Sequence, residues 1–356
     1  MEHGGDLLTY EDQYDGQLID FSSNINPLGM PKGLEEVIIG GLNSLISYPD
    51  IKYRKLKAAV AKYLNCGVEN VLVGNGAVDI INNIIMTFDK VAVLTPSFSE
   101  YELRARVHKK EIRKIPYSKD FSIELASLAG LQEDELLILG NPNNPTGLRI
   151  PKEDLLKIYE IVRGKNAFLL LDEAFFEFCP EDYDSIELFK DEGYKHIAII
   201  RAATKFFALP GIRLGYCCTN EAKVEEISEV ELPWSVNALA DIIGQFIFNN
   251  KKYIKDSKAY IEEERQFMLR ELSKLEGIKA YNSHTNYILI KLEGLTEEDA
   301  FTHFLKYGIV IRKCSSFKEL GQNHIRIAIK DRENNDKILH AFKDLLNKSN
   351  RGNRYE

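Results

Sequence analysis

The stretch AFLLLDEAF, residues 167–175, runs five apolar residues straight into an acid, Asp172. A strand with one wet face alternates apolar and polar residues, whereas an unbroken apolar run suits a parallel strand covered by helices on both faces. Five more runs between about 68 and 220 have the same form: NVLVGNG (70–76), KVAVLTP (90–96), ELLILGNPNN (135–144), HIAIIRAAT (196–204) and IRLGYCC (212–218). Helical patterns separate them, which predicts an α/β fold built on a parallel sheet. Each run ends in polar or glycine-rich residues. Ligands of open α/β sheets sit beside the carboxyl ends of the strands, so the chemistry is expected there.

Composition bounds the rest. A chain of 356 residues, 44% hydrophobic and 28% charged, has the makeup of a globular protein with one large or two ordinary domains. Its formal net charge of -8 argues against a general nucleic-acid or anionic-membrane surface, and leaves room for a local basic pocket. Cys66, Cys179, Cys217, Cys218 and Cys314 are odd in number and lack paired metal spacing, which predicts reduced thiols in a cytoplasm and no metal site. The opening MEHGGDLLTY lacks a basic region followed by an apolar core, and no apolar run approaches the roughly 20 residues that span a bilayer.

After ELPWSVNALADIIGQFIFNN (231–250), a charged stretch to about 275 reads as a long helix leading to a smaller α+β unit. Its expected strands are HTNYILIKL (284–292), GIVIRK (308–313) and HIRIAIK (324–330), with helices near 297–307 and 334–347. The expected division is an arm over 1–32, a large domain over 33–245 and a small domain over 246–356. The arm is expected to pack on the small unit or across an active site, and the polar end, NKSNRGNRYE (347–356), to fray.

Four segments carry candidate chemistry. LVGNGAVDIINNII (72–85) puts glycines between a strand and a helix, so amides near Gly76, Ala77 and Val78 can meet an anion; packing in a tight turn explains glycines equally well. Asp172 at a strand end needs a partner, which a protonated ring nitrogen, a helix cap or a neighbouring cation can provide. ILGNPNNPTGL (138–148) is turn chemistry first, yet Asn144 is a neutral group able to hold a phenolic oxygen. In RAATKFFALPGIRLGY (201–216), Lys205 has apolar company and Arg213 follows eight positions later. They read either as charges flanking a turn or as a Schiff-base amine with a phosphate-binding cation. Together the four offer the parts that pyridoxal 5'-phosphate needs.

On these segments the chain resembles the fold-type I pyridoxal-phosphate enzymes of the aspartate-aminotransferase superfamily, over nearly its whole length. The resemblance implies a large domain with a mostly parallel seven-stranded sheet and a small α+β domain. It implies that Lys205 binds the cofactor covalently, Asp172 pairs with the ring nitrogen, Asn144 binds the ring oxygen and Phe98 of TPSFSEYE (95–102) stacks on the ring. Thr204, Arg213 and the amides after Gly76 would hold the phosphate. Tyr48 of SYPDIKY (47–53) resembles a tyrosine that reaches that phosphate across a homodimer interface, which would place the active site at that interface.

Two branches are similar: threonine-phosphate decarboxylases of cobalamin synthesis and histidinol-phosphate aminotransferases. The first matches better in HGG (3–5), DFSSNINPLGMP (20–31), LPWSVNALA (232–240) and DEAF (172–175), where Phe175 stands in place of the tyrosine usual in the aminotransferases. It implies decarboxylation of a small phosphorylated amino acid, L-threonine O-3-phosphate, with transamination as the alternative. His3, Asn24, Asn144, Arg312 and Arg326 would then bind substrate. Read alone, the arginines are rim charges and His3 a loose terminal residue; it is the resemblance that assigns them to substrate. Ala202 departs from the pattern, since relatives usually carry serine or threonine three residues before the lysine. A lost hydrogen bond to a charged group is worth roughly 1.5–3 kcal/mol.

Overall fold

A computed structural model describes residues 4–352. Its first strand is short, Ile19–Asp20 (β1). The next seven are Val71–Asn75 (β2), Lys90–Thr95 (β3), Glu111–Pro116 (β4), Glu135–Gly140 (β5), Phe168–Asp172 (β6), Ile197–Ala202 (β7) and Leu214–Thr219 (β8). They form one sheet in the order β2-β8-β7-β6-β5-β3-β4. The protein is thus α/β with a large, mostly parallel sheet, and all six quoted runs are strands in it.

Burial explains why those runs were readable. Every residue of β6 is buried, and its side chains alternate between two cores: Leu169 and Leu171 enter one, Phe168 and Leu170 the other. Each leucine so buried stabilises the fold by about 1.5–3 kcal/mol relative to exposure. β4 went unread because it is the sheet's outer strand and pairs only with β3. Its residues EIRKIP include three charges and only Ile115 is buried, so it offers no apolar run.

β8 departs from the parallel expectation by running antiparallel to both β2 and β7. An apolar run records burial, and says nothing of direction. The reversal matters for the site: Leu214 opens β8 opposite Asn75, where β2 ends, and Gly215 lies opposite Ala202, where β7 ends. The start of β8 therefore joins the edge where its neighbours finish.

Beyond the helix Lys251–Leu272 come Ile278–Ala280 (β9), Tyr287–Leu292 (β10), Ile309–Val310 (β11), Arg312–Lys313 (β12) and His324–Ala328 (β13). β12-β13-β10-β9 make a four-stranded antiparallel sheet. The single run expected at 308–313 is divided: β11 pairs in parallel with β1, while β12 pairs with β13. Helices Glu297–Leu305 and Arg332–Gly352 lie close to their expected spans. The second continues past 347, where the end was expected to fray; residues 353–356 lie outside the described residues. Among the described residues no helix is long and apolar enough to cross a membrane.

Candidate active site

The residues singled out in the sequence converge at the carboxyl edge of the large sheet. Asp172 closes β6, Asn144 follows β5, Phe98 follows β3, and Thr204 and Lys205 follow β7. Arg213 precedes β8 and reaches the same edge because that strand is reversed. All six line one cleft with Ala77 and Val78 from the first turn of the helix Ala77–Met86. Gly76, immediately before that helix, has φ +80°. That backbone favours glycine, and a Cβ built there would lie 2.3 Å from an Arg213 guanidinium nitrogen, which would have to move.

Lys205 is partly exposed to the cleft, and its Nζ donates to the Ser23 carbonyl at 2.8 Å. Burial, reinforced by Arg326, Arg213 and Lys330 and opposed by Asp20, brings its amine down to about 8. The neutral, nucleophilic form near pH 7 is thereby enriched by roughly two orders of magnitude over an ordinary lysine. Asp172 is buried, and that burial raises its carboxyl pKa. Opposing the rise, Tyr101 Oη donates to Asp172 Oδ2 at 2.6 Å and the Ala174 amide donates to Oδ1 at 3.0 Å. The salt bridge between strands is made by the next residue: buried Glu173 pairs with Arg201 of β7 at 2.9 Å and also accepts from Ser185 and Asn141. That network ties the ends of β5, β6 and β7 together beneath the cleft.

Asn24, Arg312 and Arg326 complete the wall on the far side. Arg326 comes from β13; it donates to Asn144 Oδ1, and to the Ser22 carbonyl at 3.0 Å. Arg312 comes from β12 and donates to Ser316 Oγ at 2.7 Å. Asn24 has φ 51°, and its Oδ1 is buried without a hydrogen-bond partner while its residue lines the cleft. His3 lies outside the described residues. Tyr48 does not join the cleft of its own chain; it is 78% exposed and packs on Trp234 with ring centroids 4.5 Å apart.

The sequence reading missed Tyr101 and the Ser23 carbonyl, whose partners lie 71 and 182 residues away. Phe98 and Tyr101 sit at the start of the helix Ser99–Val107, and their rings meet edge to face at 5.6 Å. Their spacing gave no sign of the hydroxyl's partner. Phe175 lines the cleft and meets the Tyr287 ring at 5.0 Å, and Ala202 lines it three residues before Lys205.

Comparison with known proteins matches residues 16–342 to the family model "Aminotransferase class I and II". The chain belongs to that family. Pyridoxal phosphate is the family's cofactor, and the cleft fits it: a glycine-opened cradle beside Arg213 suits the phosphate, and a buried carboxylate suits a ring N–H. A family protein of Caldanaerobacter subterraneus subsp. tengcongensis, assigned to threonine-phosphate decarboxylation, is 38% identical over 351 residues, 97% of this chain and 94% of that one. The threonine-phosphate decarboxylase of Salmonella typhimurium is 33% identical over 337 residues, 93% of this chain and 92% of that one. The solved histidinol-phosphate aminotransferase of Clostridium acetobutylicum superposes with a TM-score of 0.88 at 35% identity, covering 93% of this chain and all of that one.

Proposed function

We propose that this chain decarboxylates L-threonine O-3-phosphate to (R)-1-amino-2-propanol O-2-phosphate and carbon dioxide, a step of cobalamin biosynthesis. The observation that carries this reading is the pair of guanidiniums, Arg312 and Arg326, facing one cleft with the Lys205 amine. The substrate has two anionic groups, a phosphate and a carboxylate, and two planar cations match them. The two decarboxylase relatives above are consistent with it.

When bound, pyridoxal phosphate supplies an electron-accepting ring. Lys205 would hold it through its amine, and that amine, brought down to about 8, would take up and return a proton. Arg312 and Arg326 fix phosphate and carboxylate, with Arg326 braced by Asn144 and the Ser22 carbonyl. Their task would be to orient the substrate so that the bond from Cα to its carboxylate is the one that breaks. Carbon dioxide would leave without its bonding electron pair, and Lys205 Nζ would deliver a proton to Cα. Asp172 would accept from the ring N–H and favour its protonated form. Phe98 packs on the ring, Ala77, Val78, Thr204 and Arg213 hold the cofactor phosphate, and Asn24 joins the substrate contacts.

A second reading, histidinol-phosphate aminotransferase, is favoured by the 35% identity to the Clostridium acetobutylicum enzyme. The same residues would serve it, with the substrate oriented so that the Cα–H bond breaks instead. Carboxyl-labelled threonine O-3-phosphate separates the two: we expect labelled carbon dioxide without added 2-oxoglutarate. Amine transfer from histidinol phosphate to 2-oxoglutarate, without carbon dioxide release, contradicts the first reading and supports the second.

The functional unit we propose is a homodimer. Ile39, Leu45, Ile46, Tyr48, Ile51 and Trp234 are exposed large apolar or aromatic side chains in segments 39–51 and around 234, and a second copy would cover them. Tyr48 would then reach the partner's cofactor phosphate. Sedimentation should give twice the 40.7 kDa chain mass, and a stable monomer would remove Tyr48 from the site.

A further inference from the structure

Asp172 is a buried carboxylate without a salt bridge to any cation among the described residues. A charge so placed protonates unless donors hold it. It has two: the Ala174 amide on Oδ1, and on Oδ2 the Tyr101 hydroxyl, at 2.6 Å the shorter of the pair. Tyr101 is 2% exposed, lies in the first turn of the helix Ser99–Val107, and lines the cleft beside Phe98.

We propose that Tyr101 is a positioning residue that keeps the Asp172 carboxylate ionised and aimed at the cofactor's ring nitrogen. The inference rests on the assignment of Asp172 to that nitrogen. A neutral donor differs here from an arginine or lysine. It stabilises the carboxylate without cancelling its charge, so the full negative charge remains for the incoming ring N–H cation. Each carboxylate oxygen keeps a lone pair for that contact. The hydroxyl itself stays protonated, since burial and the Asp172 charge both push its pKa well above the ordinary tyrosine value.

Other titratable groups also surround the pair. Tyr117 and Tyr287 approach from beyond β4 and from β10, and Lys205, Arg213 and Arg326 line the same cleft. The Lys205 amine affects cofactor binding at every pH, so the decisive quantity is the ratio between variant and wild type.

The experiment strips the holoenzyme of pyridoxal phosphate and measures the dissociation constant on readdition between pH 6 and 8.5, for wild type, Y101F, D172N and the double variant. Y101F should bind about tenfold more weakly at pH 6 and within about threefold of wild type at pH 8.5, because the unassisted carboxyl protonates at higher pH. In the D172N background Y101F should change little at any pH. A pH-independent loss, no loss, or an equal loss in the D172N background overturns the proposal and leaves Tyr101 as packing. If D172N binds as tightly as wild type, the assignment of Asp172 fails instead. A measurement on the folded wild-type chain needs no Tyr101 variant: the infrared difference between cofactor-free wild type and D172N at pH 6 should contain an ionised carboxylate band. A protonated carboxyl band there contradicts the proposal.

Discussion

Lys205→Ala should lower turnover by at least about a thousandfold, because on the proposed assignment it removes both the amine that holds the cofactor and the group that moves the proton. Borohydride, which fixes pyridoxal phosphate to the wild-type chain, should leave the variant unlabelled. The fold should survive: the lysine amine donates to the Ser23 carbonyl alone among the described residues, and it is already costly to keep charged in the cleft. Turnover within tenfold of wild type, or label on another lysine, would contradict the assignment.

Asp172→Ala should cost about a hundredfold to ten-thousandfold in kcat, with a smaller change in KM. On the proposed assignment the carboxylate meets the ring nitrogen and not the substrate. It favours the protonated ring nitrogen, which matters most when negative charge flows into the ring. Cofactor affinity should fall as well, and the Tyr101 hydroxyl would lose its partner in a buried site. A KM effect without a kcat effect would place Asp172 among the substrate contacts rather than beneath the ring.

The parts of the fold legible in the sequence were those recorded by local burial. β2, β3, β5, β6, β7 and β8 are apolar along their length because helices cover both faces of the sheet. β4 carries charges at an edge, and β1, β11 and β12 are two residues each, too short for any periodicity. The reversal of β8 had no local signature, although it is what brings Arg213 to Gly76.

The candidate site divides in the same way. Asp172, Asn144, Lys205 and Arg213 stand at strand ends within short motifs, and the four segments together were far more specific than any one. The contacts that tune them come from elsewhere in the chain: Tyr101 on Asp172, Ser23 on Lys205, and Arg326 on both Asn144 and the Lys205 amine. None of these pairings has a sequence spacing that could announce it. Ala202 lines the cleft, so a serine or threonine hydroxyl at that position would face the same space.

The fate of the substrate carboxyl group tests the central claim most directly. The holoenzyme incubated with L-threonine O-3-phosphate in deuterium oxide should yield 1-amino-2-propanol O-2-phosphate carrying one solvent deuterium on the aminated carbon, with one carbon dioxide per turnover. A phosphorylated 2-oxo acid that retains its carboxylate, formed only when an amine acceptor is present, would contradict the account and place the chain among the aminotransferases in activity as well as in family.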